Sequence, residues 1–353
     1  EVITLTSDQD GLLQGSATVS GGVWTFYVTT PLSENTHAIT ATATDGSNGT
    51  ADSAAPLTFE IDTTANAAPA VTSVSDDNGS SSSDGITNDD TLSISGTAVA
   101  NSAVEVFIDG VSVGNVTANG AGAWTYDHTG TTLAEATYVV TATSTDVAGN
   151  VSAPSADFTV VVDSTAPAAP AVTAVSDDTG SSATDGITSD DTLTISGTAE
   201  ANSTVDVLID GASIGTTTAD ASGNWSFDHT GTPLAEATYA ITATATDGAG
   251  NTSVASAGFA LVVDTTAPAA PAVVSISDDT GSSPTDEITS DTSLTFTGTA
   301  AANSTVEVFI DGASIGTVAA DGGGNWTFDH TGTALAEGTY SVTATASDAA
   351  GNT

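Results

Sequence analysis

The segment TATATDGAGN, residues 242–251, recurs with few changes as TATSTDVAGN at residues 141–150 and as TATASDAAGN at residues 343–352. Its first half alternates Thr with Ala, which is the pattern of a β-strand with one buried face. Its second half contains Asp, Gly and Asn, which are residues that favour turns. The segment therefore predicts a strand followed by a tight turn, and the chain contains three copies of it.

Other residues repeat with the same spacing. Trp124, Trp225 and Trp326 are spaced by 101 residues, and Trp24 lies 100 residues before Trp124. A period of this length is too long for a solenoid unit and fits a whole domain copied in tandem. We predict four segments cut from a longer array: a partial repeat with only its later strands at 1–65, full repeats at 66–166 and 167–267, and a repeat without its last strand at 268–353.

The repeat at 167–267 shows the signals of seven short strands. After the first, a polar loop, DDTGSSATDGITSDD, occupies residues 177–191. No helical period is present. Seven short strands in one such repeat, separated by regular turns, predict an all-β Greek-key sandwich. The predicted strands are 171–176, 192–199, 203–210, a short strand at Ile214, 225–229, 238–247 and 257–264.

Several repeated side chains are predicted to be structural. Trp225 and Phe227 alternate along one strand and should face the core. The sequence LAEATY places Tyr239, like Tyr138 and Tyr340, in the setting of a tyrosine corner; the first repeat has His37 at this position, which leaves its corner in question. The Asp residues of the IDG motifs are predicted to be turn residues only: Asp109, Asp210 and Asp311.

The charge of the chain excludes several classes of function. It has 44 Asp and Glu and no Lys or Arg, for a formal net charge of −44. Binding to nucleic acid and docking on an anionic membrane both depend on basic side chains, so neither is expected.

No apolar run approaches the length that spans a membrane. His128, His229 and His330 occupy one repeated position with no nucleophile turn near them, so we do not expect an enzyme.

The pattern VDTTAP…DDTGSS.TD.IT.D.TLT.SGTA…IDG…GNW.F…GTY..TATA.D.AGNTS resembles the bacterial Ig-like repeats of giant secreted adhesins, including those with repeats-in-toxin tails. The resemblance covers essentially the whole chain. It implies tandem Ig-like sandwiches arranged as an elongated rod, an extracellular location at the bacterial cell surface, and calcium bound at or near the domain junctions.

The topology of a sandwich also places the acidic residues, without that resemblance. If the chain enters at one pole and leaves at the other, the loop after the first strand and the end of the last strand share the exit pole. The turn of the TATATDGAGN segment in the next repeat then faces them. We call these features the acidic loop (residues 76–90, 177–191 and 278–292), the strand-end aspartates (Asp62, Asp163 and Asp264) and the AGN turn (residues 146–150, 247–251 and 348–352).

Calcium takes roughly six to eight oxygen ligands, which Asp, Asn and backbone carbonyls supply. With no Cys and one His in each copy, zinc is a poor fit. We therefore predict calcium ligands at the junctions, against the alternative that these are ordinary turn residues. The predicted ligands are Asp62, Asp146, Asn150, Asp163, Asp247, Asn251, Asp264, Asp348 and Asn352 at the strand ends and AGN turns, and Asp76, Asp77, Asp84, Asp177, Asp178, Asp185, Asp278, Asp279 and Asp286 in the acidic loops.

Three functions remain open at the level of the sequence. The favoured one is a structural spacer, because the two full repeats have equal length and nearly the same loops, and because Pro268 and Pro271 favour an extended linker. Its partners would be neighbouring repeats of the same long chain. The second is a subunit of an extracellular filament, sheath or biofilm matrix with lateral self-association. The third is a ligand-binding adhesive module.

Overall fold

The computed structural model describes residues 2–77, 79, 81–178, 180–277, 279, 283 and 285–353. Within this part of the chain, strands and turns account for all regular structure, and there is no helix that could cross a bilayer. The chain divides into two compact units, one of residues 1–77 and 82–163 and one of residues 78–81 and 164–353. The predicted all-β fold of tandem Ig-like sandwiches is confirmed.

The first unit begins with the partial repeat. A five-stranded sheet has the order β2-β1-β5-β6 with β7 also paired to β5, and β3 and β4 form a separate hairpin. Its core consists of Ile3, Leu5 and Leu13 with partly buried neighbours. The strands are β1 Val2–Ser7, β2 Gly11–Leu12, β3 Gly15–Ser20, β4 Val23–Val28, β5 Asn35–Thr44, β6 Thr50–Asp52 and β7 Leu57–Ile61.

The first unit ends with a complete sandwich. A three-stranded sheet, β13-β10-β8, faces a five-stranded sheet, β12-β11-β14-β15-β9. All pairs are antiparallel except β15 with β9, which is parallel. The strands are β8 Ala70–Val74, β9 Ile86–Thr87, β10 Ser93–Thr97, β11 Ala103–Ile108, β12 Val111–Thr117, β13 Ala123–Asp127, β14 Ala136–Thr145 and β15 Phe158–Val162.

The second unit holds the remaining two repeats. Its first sandwich repeats the same two sheets, β16-β18-β21 and β17-β23-β22-β19-β20, and its second has β24-β25-β28 and β27-β26-β29. The strands are β16 Ala171–Val175, β17 Ile187–Thr188, β18 Thr194–Thr198, β19 Thr204–Ile209, β20 Ala212–Thr218, β21 Asn224–Asp228, β22 Ala237–Thr246, β23 Phe259–Val263, β24 Ala272–Ile276, β25 Thr295–Thr299, β26 Thr305–Ile310, β27 Ala313–Ala319, β28 Asn325–Asp329 and β29 Val342–Ser347.

Alternation along the strands builds each core. In β19, Val205, Val207 and Ile209 point inward while their neighbours point outward. Trp225 is 3% exposed, and Phe227 packs against the same core, as their alternation predicts. Each sandwich has its own cluster of buried residues and therefore its own hydrophobic core.

A glycine opposite each core tryptophan permits the two strands to approach. A Cβ added to Gly197 would lie 1.9 Å from the carbonyl oxygen of Ala171 and 2.5 Å from the indole ring of Trp225. The neighbouring backbone cannot move away without breaking the β16–β18 ladder. The same contact recurs in the other two complete three-stranded sheets, at Gly96 with Trp124 and Gly298 with Trp326.

The acidic loop contains a strand that the sequence did not indicate. We predicted residues 177–191 as a polar loop, but Ile187–Thr188 pair in parallel with Val262 and Val263 of β23. Ile86–Thr87 pair in the same way with Val161 and Val162. The prediction was wrong here because a two-residue strand shows no periodicity. The pairing anchors the loop to the strand that precedes the linker.

The IDG aspartates do more than form a turn. Asp210 has a φ of 50°, its N–H donates to the carbonyl oxygen of Ala240 at 2.9 Å, and its Oδ1 accepts from the Ala240 N–H at 2.9 Å. Asp109 and Asp311 make the same pair of bonds to Val139 and Ser341. The prediction that these residues are turn residues only was therefore incomplete: each also fixes the position of a strand 30 residues away.

The tyrosine corners are present, and a histidine forms an equivalent one. The hydroxyl of Tyr239 donates to the carbonyl oxygen of Ala235, four residues upstream, at 2.9 Å. Tyr138 and Tyr340 donate in the same way to the carbonyl oxygens of Ala134 and Ala336. In the first repeat, Nε2 of His37 bonds to the carbonyl oxygen of Ser33 at 2.7 Å. The ring is fully buried, and Nδ1 lies 2.9 Å from Ser7 Oγ. The corner that the sequence left in question is closed by an imidazole.

We expect Gly197→Ala to destabilise its own sandwich by roughly 1–3 kcal/mol, the usual cost of overpacking, because the added methyl meets backbone and an indole ring. Gly231→Ala is the matched control, since a Cβ there meets nothing within 4 Å. Urea unfolding followed by pulsed hydrogen exchange would resolve the repeats separately. Equal midpoints for the two variants would show that the strands can separate at no cost.

Candidate functional site

Asp62 and Asp264 contact the AGN turns of the repeats that follow them. In the first unit, the side-chain amide of Asn150 donates to the carbonyl oxygen of Asp62 at 3.1 Å. In the second unit, Asn352 donates to the carbonyl oxygen of Asp264 at 2.7 Å. The atom that accepts is the backbone carbonyl. Within each unit, a direct hydrogen bond therefore joins the end of one repeat to a turn of the next.

The aspartate of each AGN turn holds the asparagine in position. One oxygen of Asp146 accepts from the backbone N–H of Asn150 at 2.8 Å, and the other accepts from its side-chain amide at 2.8 Å. The side-chain amide of Asn150 lowers the pKa of the Asp146 carboxyl. The same pair of bonds links Asp247 to Asn251 and Asp348 to Asn352. The predicted ligands of one turn are thus bonded to each other.

The acidic loop at residues 177–191 contacts the AGN turn at residues 348–352 of the next repeat. The N–H of Ser181 donates to the carbonyl oxygen of Ala349 at 2.9 Å. A Cβ added to Gly180 would lie only 1.7 Å from that same oxygen, so the contact requires glycine. Nothing in the sequence indicates this role of Gly180, because its partner is a backbone atom of another repeat. The loop and the turn are adjacent, as the topological argument expects.

A buried carboxylate oxygen without a partner recurs in the acidic loops. In Asp178, Oδ2 accepts from the N–H of Gly186 at 3.0 Å, whereas Oδ1 is buried and has no hydrogen-bond partner among the described residues. A buried polar oxygen that lacks a partner costs free energy, and more so when it is charged. Asp77 and Asp279 repeat this arrangement, with Oδ2 accepting from Gly85 and Glu287.

The other predicted ligands of the acidic loops shape the loop. Asp177 has a φ of 54°, and its carbonyl oxygen accepts from Thr188 Oγ1 at 2.8 Å. Asp185 Oδ1 accepts from the N–H of Ile187 at 3.1 Å. The corresponding residues behave in the same way: Asp76 accepts from Thr87, Asp84 from Ile86 and Asp286 from Ile288. Asp278 lies outside the described residues.

Two strand-end aspartates also bond to the acidic loop of their own repeat, and the first of them is Asp163, in the first unit. Its N–H donates to the carbonyl oxygen of Thr87 at 2.9 Å, which extends the parallel pairing of β15 with β9 by one residue. Asp264 repeats this bond with Thr188 at 2.9 Å. Asp163 and Asp264 are therefore attached to the acidic loop of their own repeat as well as to the linker.

The chemistry of these donors suits a hard cation. The groups are carboxylate, amide and carbonyl oxygens, which calcium prefers as ligands. One buried oxygen each of Asp77, Asp178 and Asp279 accepts no hydrogen bond from the residues that the structure describes. In the part of the chain that the structure describes, no group of three or more acidic or histidine side chains lies close enough to hold a metal ion. A bound cation would therefore depend on backbone carbonyls and water in addition to these carboxylates.

The repeated histidines pack beside aromatic rings. The centroid of His229 lies 6.2 Å from that of Phe227, and His128 lies 6.1 Å from Tyr126. His330 lies 6.0 Å from Phe296. These contacts place the imidazoles at the ends of core strands and give them a packing role.

Comparison with protein families identifies the repeats. Residues 64–164, 165–265 and 266–353 each match the bacterial Ig-like domain family. The matched ranges begin two residues before the repeats that we defined from the sequence. A comparison with curated proteins gives no match.

Solved structures with similar folds include other repeat arrays. A structure from a study of host cell surface retention of a 1.5-MDa bacterial ice-binding adhesin is 25% identical, with a TM-score of 0.35, over 82% of this chain and 95% of that one. A tetra-tandem repeat from the extending region of a large adhesion protein is 22% identical, with a TM-score of 0.34, over 99% and 88%. Fibronectin(III)-like modules of Clostridium thermocellum CbhA are 18% identical, with a TM-score of 0.30, over 49% and 85%. The family assignment rests on the three matched repeats.

We expect Asn352→Ala to loosen the linker that follows Asp264, because it removes the amide that donates to the Asp264 carbonyl. The N–H of Thr266, which donates to Asp264 Oδ1 at 3.1 Å, should exchange roughly fivefold faster, as the loss of one hydrogen bond of about 1 kcal/mol implies. Ser222→Ala, at an exposed turn, is the control. Unchanged exchange at Thr266 in Asn352→Ala would mean that the bond does not hold the linker.

Proposed function

The chain belongs to the bacterial Ig-like domain family, and from this we propose that it is a structural spacer in the extender region of a large bacterial cell-surface adhesin. The observation that carries the proposal is the regularity of the repeats. β19–β23 reproduce the lengths and burial patterns of β11–β15 with the loops between them unchanged in length. A module that holds a ligand would be expected to differ from its neighbours in at least one loop.

The contacts inside each unit support a mechanical role. The Asn352 amide bonds to the Asp264 carbonyl, and the Ser181 N–H bonds to the Ala349 carbonyl, so two hydrogen bonds connect consecutive repeats within the second unit. The linker between them contains prolines and no Gly or Ser spacer. A spacer must transmit load from one repeat to the next, and short linkers with direct contacts are suited to that.

We further propose that calcium stiffens the junctions. The support is the buried oxygen that has no hydrogen-bond partner within the described part of the chain in each of Asp77, Asp178 and Asp279. In addition, the chain has no Lys or Arg to neutralise its carboxylates. Calcium, when bound, would supply positive charge and an electrophilic partner for oxygen atoms. The acidic loops and strand-end aspartates would hold it, and the AGN turns of the next repeats would face it.

In this arrangement the chain's own residues do most of the positioning. The short parallel pairing of Ile187–Thr188 with β23 fixes the acidic loop against the strand that ends at Asp264. The Gly186 N–H orients Asp178 so that its second oxygen remains available. Loss of the cation would leave like charges close together at the junction, which favours their separation. The joint would then be stiff with calcium and softer without it.

Small-angle scattering on the full chain tests the spacer role. Since a strand of eight residues spans roughly 26 Å, we expect a rod with a maximum dimension well over about 100 Å in calcium. With a chelator at matched ionic strength, the average span should shorten. Asp163→Asn with Asp264→Asn should shorten it even in calcium, while the tryptophan fluorescence of the cores stays unchanged. A compact particle in calcium would contradict the spacer role.

Thermal unfolding separates the calcium proposal from the spacer proposal. A ligand that binds only the folded state stabilises it by about 2.7 kcal/mol at one hundred times its Kd, so the midpoint should rise in millimolar calcium and less in magnesium, which resists dehydration. If melting curves in calcium and in chelator coincide while scattering still gives a long rod, the spacer proposal holds and the calcium proposal fails. In the scattering experiment, a particle mass that rises with protein concentration would instead support lateral self-association.

A further inference from the structure

One turn differs chemically from its two counterparts. Between β12 and β13 the first complete sandwich has the sequence Asn119-Gly120, where the later repeats have Asp220-Ala221 and Asp321-Gly322. Asn119 Oδ1 accepts from the N–H of Ala121 at 2.8 Å and from the N–H of Ala123 at 3.1 Å. Both Asn119 and Gly120 are exposed to solvent. An amide thus occupies a turn whose counterparts hold a carboxylate.

The two backbone donors surround the side-chain carbonyl oxygen of Asn119. N–H groups aimed at a carbonyl oxygen stabilise the negative charge that develops there when the carbonyl carbon is attacked. The neighbouring N–H of Gly120 has no hydrogen-bond partner among the described residues, and glycine adds no side chain to obstruct its nitrogen. We propose that Asn119 is a site of spontaneous deamidation, and that the fold retains the product as aspartate.

The reaction needs only the chain and water. The Gly120 nitrogen loses its proton and attacks Asn119 Cγ, forming a five-membered succinimide, and the side-chain nitrogen leaves as ammonia after taking up a proton. Water then adds to the succinimide. Opening at the Cγ side restores the ordinary backbone with Asp at position 119. Opening at the other carbonyl gives isoaspartate. Overall, one water is consumed and one ammonia is released, with no change of oxidation state.

The counterpart turns show that this loop accommodates aspartate. Asp220 Oδ1 accepts from the N–H groups of Ser222 and Asn224 at 2.8 and 2.9 Å, and Asp321 Oδ1 accepts from Gly323 and Asn325 at 2.8 Å each. The N–H of Asn224, with that of Ser222, lowers the pKa of the Asp220 carboxyl. Isoaspartate would lengthen the backbone by one methylene and displace its shorter side chain from both donors. The turn therefore favours the aspartate product.

The same chain offers an internal comparison. Asn48-Gly49 is another Asn-Gly pair, but the N–H of Gly49 donates to Asp45 Oδ1 at 2.9 Å. The Gly49 nitrogen must give up this bond before it can attack. The nearby Asp45 carboxylate also opposes the negative charge that develops during the attack. We therefore expect Asn119 to react faster than Asn48 in the folded protein.

The test is incubation of the full chain in native buffer and in urea, followed by chymotryptic mapping, because trypsin has no cleavage site here. We expect Asn119 to convert at least about tenfold faster than Asn48 in native buffer, since one donor to an oxyanion is worth roughly 10²–10³ in rate in enzymes. In urea the two rates should converge. The protease Asp-N, which cuts before aspartate and not before isoaspartate, should cleave the native product at position 119.

Two variants sharpen the result. Gly120→Ala should slow the conversion, and Asn119→Asp should unfold at the same or a higher temperature than the parent chain, because the carboxylate inherits both donors. No conversion at Asn119, an equal or faster conversion at Asn48 in native buffer, or isoaspartate as the main native product would each overturn the proposal. These outcomes do not depend on the spacer role, since the turn lies within one sandwich.

Discussion

The constraint on which the structure depends is that no carboxylate in this chain can pair with Lys or Arg. The chain carries 44 acidic residues and no basic ones apart from four histidines, so most of its carboxylates depend on neutral hydrogen-bond donors. The loops supply them. Asp329, for example, accepts from both the hydroxyl and the N–H of Thr331, at 2.6 and 2.9 Å, and these bonds lower the pKa of its carboxyl. Hydrogen bonds to the ionised form offset part of the repulsion between like charges.

This constraint explains why aspartate outnumbers glutamate 34 to 10. A short side chain reaches the N–H groups two to four residues ahead and closes a turn, as Asp146 does with Asn150. It also reaches across strands, as Asp210 does with Ala240. The acidic residues are therefore part of the framework that sets the turns and the register. Among the described residues, Asp77, Asp178 and Asp279 keep a buried oxygen without a hydrogen-bond partner, and for this reason we propose them as cation ligands.

Much of the fold could be predicted from the sequence because its signals are local. Alternation located the strand at residues 238–247, which the structure has at Ala237–Thr246, and the Asp-Gly pairs located the hairpins. Signals that depend on distant partners were missed. The Ile187–Thr188 strand exists only because β23 lies beside it, and the need for Gly180 comes from a carbonyl in another repeat. At the junctions, topology correctly brought Asp264 near Asn352, but the sequence could not show that the bond uses the Asp264 carbonyl.

The most direct test of this account is an NMR titration of the side-chain carboxyl groups of the folded chain in chelator. Asp220 and Asp321, whose pKa values are lowered by backbone N–H donors of Asn224 and Asn325, should titrate below the ordinary Asp value of about 3.9. Because the folded pKa lies below the unfolded one, the stability they contribute is present above the unfolded pKa and is lost as pH falls through the folded pKa. If both titrate at or above the ordinary value, repulsion among the acidic residues outweighs the loop donors, and hydrogen bonds from the loops do not stabilise the charge.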